Sequence, residues 1–122
     1  MSVLFIIDDD AAMAKCISHS CKNFPNLTIR HFTNAIDAMN HLEDDELPNL
    51  IFLDILLDGP DGFTMLHELA SYPDTATIPI IIISSLDHLA TRDLSIYNVK
   101  KVLNKSTMTP EEIRTHVKKY CA

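Results

Sequence analysis

Four apolar stretches in this chain stop at residues that could do chemistry together. Val3-Leu4-Phe5-Ile6-Ile7 runs into Asp8, Asp9 and Asp10, and Leu50-Ile51-Phe52-Leu53 runs into Asp54. Ile80-Ile81-Ile82-Ile83 meets Ser84, and a shorter run, Val102-Leu103, meets Asn104 and Lys105. Gathered in one place, the carboxylates repel one another and call for a hard divalent cation, most simply Mg2+. The lysine ammonium and the serine hydroxyl would then supply the positive charge and hydrogen bond that an incoming phosphoryl group needs.

Short continuous apolar runs bounded by polar residues read as strands buried on both faces of a parallel sheet. In open α/β sheets the ligand site lies beyond the carboxyl ends of the strands, so all four termini converge on one edge. Helical patterns fill the intervals. Met13, Ile17, Cys21 and Phe24 share one helical face, closed by Pro25-Asn26, and Asp10 is placed to cap that helix. Leu27 to Phe32 alternates apolar and polar residues as an edge-side strand does. Asn34 to Glu43 reads as a second helix with Ala35, Ala38, Met39 and Leu42 inward, and Gly62 to Ser71 as a third with Phe63, Leu66 and Leu69. Asp87 could cap a fourth, from about His88 to Tyr97. The last helix carries the clearest start: Thr109 as N-cap, Pro110 in the first turn, Glu112 to complete a capping box, and Met108 with Ile113 as a hydrophobic staple. Five strands alternating with five helices make a doubly wound parallel α/β sheet.

With 122 residues, 47% of them hydrophobic, the chain can bury one core, and residues 1–122 are expected to form one domain. A net charge of −7 argues against direct nucleic-acid binding, whose footprint is a basic face. No apolar stretch is long enough to span a membrane and no leader precedes Val3, so a cytoplasmic protein without membrane attachment is expected. Cys16, Cys21 and Cys121 are odd in number and lack Cys-x-x-Cys spacing, which favours reduced thiols. The six histidines are scattered without ligand spacing.

Taken together, these residues give the chain a resemblance over essentially its whole length to the receiver domain of two-component response regulators, in the manner of a single-domain chemotaxis regulator. Leu53-Asp54-Ile55-Leu56-Leu57-Asp58-Gly59-Pro60-Asp61-Gly62 resembles the family's phosphoacceptor loop, with its later Asp-Gly pair. Asp8 and Asp9 match the acidic pair that holds magnesium, Ser84 the hydroxyl residue and Lys105 the lysine. The resemblance implies a flavodoxin-like (βα)5 fold. It also implies that Asp54 accepts a phosphoryl group from a phosphohistidine on a sensor histidine kinase or histidine phosphotransfer protein. Mg2+ would be held by Asp8, Asp9, Asp54 and the Leu56 backbone carbonyl. Ser84 moving toward the phosphoryl group would shift the loop after it and change contacts with a downstream protein target. Such a domain is a signalling module with at most slow autophosphatase activity, not a turnover enzyme.

Two rival assignments exist. A haloacid-dehalogenase-type phosphatase would use Asp8 as nucleophile, with Asp10, Ser84 and Lys105, but the later acidic pair it needs is missing and Asp54 is left without a task. A pseudo-receiver would be a pure docking module, which the intact set of Asp9, Asp54, Ser84 and Lys105 argues against. The chain also departs from the family pattern. Val102 replaces the aromatic before the lysine, Ser106 replaces the following proline with its cis bond, and Asn98 stands for a glycine in a left-handed backbone. Leu56 and Leu86 flank the expected path of an attacking water and cannot orient it, which predicts a slowly hydrolysing phospho-form.

Overall fold

The three long apolar runs become the three inner strands, because only a sheet covered on both faces can absorb them. The computed structural model describes residues 2–42, 46–55, 62–85 and 94–121. Its elements run β1 (Ser2–Ile7), α1 (Ala11–Ser20), β2 (Leu27–Phe32), α2 (Ala35–Leu42), β3 (Leu50–Asp54), α3 (Gly62–Ala70), a one-turn α4 (Pro73–Ala76), β4 (Ile80–Ser84), a 3-10 turn at Ser95–Tyr97, β5 (Val99–Asn104) and α5 (Pro110–Cys121). All pairings are parallel, in the order β2-β1-β3-β4-β5. The expected doubly wound sheet is present, with β2 and β5 at its edges.

Side chains divide strictly by strand face. Val3, Phe5, Ile7, Ile51, Leu53, Ile80 and Ile82 meet α2 and α3 through Ala38, Leu42, Met65, Leu66 and Leu69. Leu4, Ile6, Leu50, Phe52, Ile81 and Ile83 meet α1 and α5 through Ala14, Ile17, Ile113 and Val117. Cys21 and Cys121 lie in this second layer as free thiols, and burial pushes both up to about 11, so they pack as neutral groups.

Local signals at the element ends hold. Asp10 caps α1, its carboxylate accepting from the Ala12 and Met13 amides. The α1 helix stops at Ser20, however, so Cys21 is its cap and Phe24 reaches the core from the following turn. Thr109 and Glu112 form the reciprocal capping box of α5: the Thr109 amide donates to Glu112 Oε1 at 3.0 Å and the Glu112 amide to Thr109 Oγ1 at 3.1 Å. Asn98 has φ 62°, the left-handed conformation expected of it. The fourth helix expected over 88–97 falls mostly outside the described residues, and its end, Ser95–Tyr97, is a 3-10 turn. The helix before β4, Pro73–Ala76, is too short to leave a periodic pattern. Instead, buried Thr75 anchors it by donating to the Leu69 carbonyl at 2.6 Å.

Candidate functional site

Three carboxylates converge at the carboxyl ends of β1 and β3. Asp8 and Asp54 are buried, Asp9 is exposed, and one oxygen from each lies within 4.8 Å of the others. Both backbone and side chain fix Asp8. Its amide donates to the Phe32 carbonyl at 3.0 Å, His31 Nε2 donates to its carbonyl at 2.8 Å, and its Oδ1 accepts from the Asp10 amide at 2.9 Å. Asp8 Oδ2 is fully buried and takes no aligned hydrogen bond among the described residues. A buried carboxylate oxygen in that condition, facing two further carboxylates, is the donor set that a hard cation satisfies. The residues present therefore fit a divalent cation such as Mg2+.

Lys105 enters from the far side. Its Nζ stands 3.0 Å from Asp8 Oδ2, a close ion pair out of hydrogen-bond alignment, and donates to Asp54 Oδ2 at 3.1 Å. Burial, the largest single influence, pulls the lysine pKa down, yet the two carboxylates together overcome it and hold the group above its ordinary value. The ammonium is thus a fixed cation throughout the neutral range. Ser84 is buried at the end of β4, one residue past Ile83, which pairs with Asp54. Its carbonyl accepts from the Lys105 amide at 2.8 Å. All four positions singled out in the sequence are thereby brought to one edge.

Asp10 is not part of the cluster, because its carboxylate is engaged at the start of α1. An Asp8-and-Asp10 nucleophile pair is therefore not what the fold assembles. Leu56, Asp58, Asp61, Leu86 and Asp87 lie outside the described residues. Two residues matter beyond what the sequence revealed. A Cβ on Gly62 would lie 2.6 Å from Ile55 Cα and 2.9 Å from the Asp54 carbonyl oxygen, so α3 can begin against the strand end only because this residue has none. The offset within the Asp-Gly pair marked the position but not this reason. Asn104, visible only as a polar stop, shapes the turn that carries Lys105. The Lys105–Ser106 peptide is trans.

A family model for the response regulator receiver domain matches residues 4–118. Among curated proteins, the chain is similar to the response regulator PleD of Caulobacter vibrioides, with 43% identity over 42 residues. That stretch is 34% of this chain and 9% of PleD, so the chain spans a small part of that relative's length. Among solved structures, the Mn2+-bound form of the response regulator Rcp1 gives a TM-score of 0.80 at 21% identity, covering 98% of this chain and 94% of that one. The phosphorylated cyanobacterial phytochrome response regulator RcpA gives 0.82 at 20% identity, covering 98% and 93%. At such identities these two likenesses concern the fold alone.

Proposed function

The chain belongs to the receiver-domain family of two-component response regulators, and from that premise we propose that Asp54 is its phosphoacceptor. An Asp54 carboxylate oxygen attacks the phosphorus of a phosphohistidine on a sensor histidine kinase or histidine phosphotransfer protein. The P–N bond breaks, its electron pair stays on the imidazole nitrogen, which takes up a proton, and Asp54 becomes an acyl phosphate. The observation that carries this reading is the Lys105 ammonium, 3.1 Å from Asp54 Oδ2 and bonded to it before any phosphoryl group arrives.

Asp8, Asp9 and Asp54, with the Leu56 backbone carbonyl, would hold Mg2+, which supplies neutralising charge for the transferring oxygens when bound. Buried Asp8 Oδ2, which pairs with the Lys105 ammonium but takes no aligned hydrogen bond among the described residues, supports the choice. Lys105 then pairs with one phosphoryl oxygen and the Ser84 hydroxyl donates to another. Drawing Ser84 toward the phosphoryl group biases the loop after β4 and thereby the contacts with a downstream protein target. In this reading residues 1–122 act as one cytoplasmic signalling domain that accepts a phosphoryl group, without enzymatic turnover and without contacting nucleic acid or membrane.

Mass spectrometry after incubation with acetyl phosphate and Mg2+ tests it. One phosphoryl adduct is expected on the wild type and none on Asp54→Asn. An adduct that survives Asp54→Asn but disappears in Asp8→Asn would transfer the chemistry to the phosphatase arrangement.

A further inference from the structure

The turn after β5 brings Lys105 to the site, and most of its amides point at one residue. Asn104 Oδ1 accepts from the Ser106 amide at 2.8 Å. The Asn104 carbonyl accepts from the Thr107 and Met108 amides at 3.1 and 2.8 Å. Side-chain capture of the amide two residues on is an Asx turn, which substitutes for a backbone turn and fixes the residue enclosed within it. That enclosed residue is Lys105. Its own amide is already spent on the Ser84 carbonyl, so its backbone is clamped on both sides.

The clamp matters because of what the side chain must reach. Lys105 Nζ has to sit 3.0 Å from one carboxylate and 3.1 Å from another at once, at the end of four rotatable bonds. A small rotation of the backbone is magnified at the ammonium. β5 is an edge strand, with no further strand on its outer side among the described residues. We propose that Asn104 is a positioning residue whose side-chain amide aims the Lys105 ammonium at Asp54 and Asp8. This rests on Asp54 being the phosphoacceptor.

Phosphorylation of the full chain by acetyl phosphate, followed over a Mg2+ titration, separates the roles. Asn104→Ala should lower the saturating rate about tenfold, the scale of a displaced reacting group. The Mg2+ concentration at half-maximum should stay unchanged, because β1 and β3 hold the carboxylates. Asn104→Ser, whose hydroxyl oxygen can accept the same amide, should recover most of the rate. In a Lys105→Ala background, Asn104→Ala should leave the residual rate where it is, since there is no ammonium left to aim. Far-UV circular dichroism accompanies each variant, and the serine variant keeps the test alive should the alanine variant unfold. Wild-type rates in Asn104→Ala, equal losses in the alanine and serine variants, or a further loss in the Lys105→Ala background would each overturn the proposal while leaving Asp54 as acceptor. A wild type that takes up its phosphoryl group elsewhere than Asp54, or none at all, overturns both.

Discussion

The two halves of the site are held by different physics. The carboxylates end β1 and β3, where every residue from Val3 to Ile7 and from Leu50 to Asp54 is buried. Lys105 follows β5, where Lys100 and Lys101 are both exposed and only Leu103 is buried. On the first side position is set by packing, which is dense and unforgiving. On the second it is set by a few directional hydrogen bonds in a turn. A packing fault should therefore disable the acidic side together with the fold, whereas a fault on the lysine side should cost chemistry with little loss of structure.

The strongest way to break the acidic side is Gly62→Ala. The new methyl meets backbone atoms on both near contacts, so the overpacking cannot be relieved by turning a side chain. Urea denaturation should show a loss of about 3 kcal/mol, with phosphorylation falling alongside. A variant of wild-type stability would mean that α3 can slide away from Ile55.

Lys105→Ala probes the boundary between the halves. It strands two buried carboxylates, and the expected cost in metal-free buffer is about 2 kcal/mol, shrinking in excess Mg2+. The pH dependence has a definite sign. The folded-state pKa of Lys105 lies above its ordinary 10.5, so its contribution is fully present below that value and is lost as pH rises through the higher folded one. The stability gap between wild type and variant should hold constant across neutral pH and close only in strong alkali. A gap that closes near neutrality would place the lysine outside this pair.

Thr109→Ala sharpens the contrast from the small end. It removes the acceptor for the Glu112 amide at the start of α5, worth about 1 kcal/mol. Because the clamp on Lys105 lies upstream of Thr109, the phosphorylation rate should match the wild type.

The sequence disclosed the carboxylate side more fully than the lysine side, for the same physical reason. Buried parallel strands write themselves as uninterrupted apolar runs, and Asp8, Asp54 and Ser84 are where those runs stop. β5 begins at Val99, three residues before its apolar run Val102-Leu103. The register explains why. Ile80 pairs with Val99 and Ile81 with Lys101, so Lys100 is an extra residue and two successive lysines face water. That bulge erases the alternation a sequence reading depends on. The need for Gly62 was hidden because a close approach between residues far apart in the chain has no local signature. Asn104 could have been found from its Asn-x-Ser context, since asparagine commonly captures the amide two residues on.

The last backbone pair between β4 and β5 joins Ser84 and Asn104, yet the Lys105 amide adds one more rung by donating to the Ser84 carbonyl. The residue whose hydroxyl would grip a phosphoryl group and the residue whose ammonium would grip it are therefore on one leash. Neither backbone can shift without taking the other along or parting a 2.8 Å bond. The Lys105 amide is consequently a built-in tension gauge: its hydrogen-exchange rate reports whether the two strand ends travel as one body or come apart.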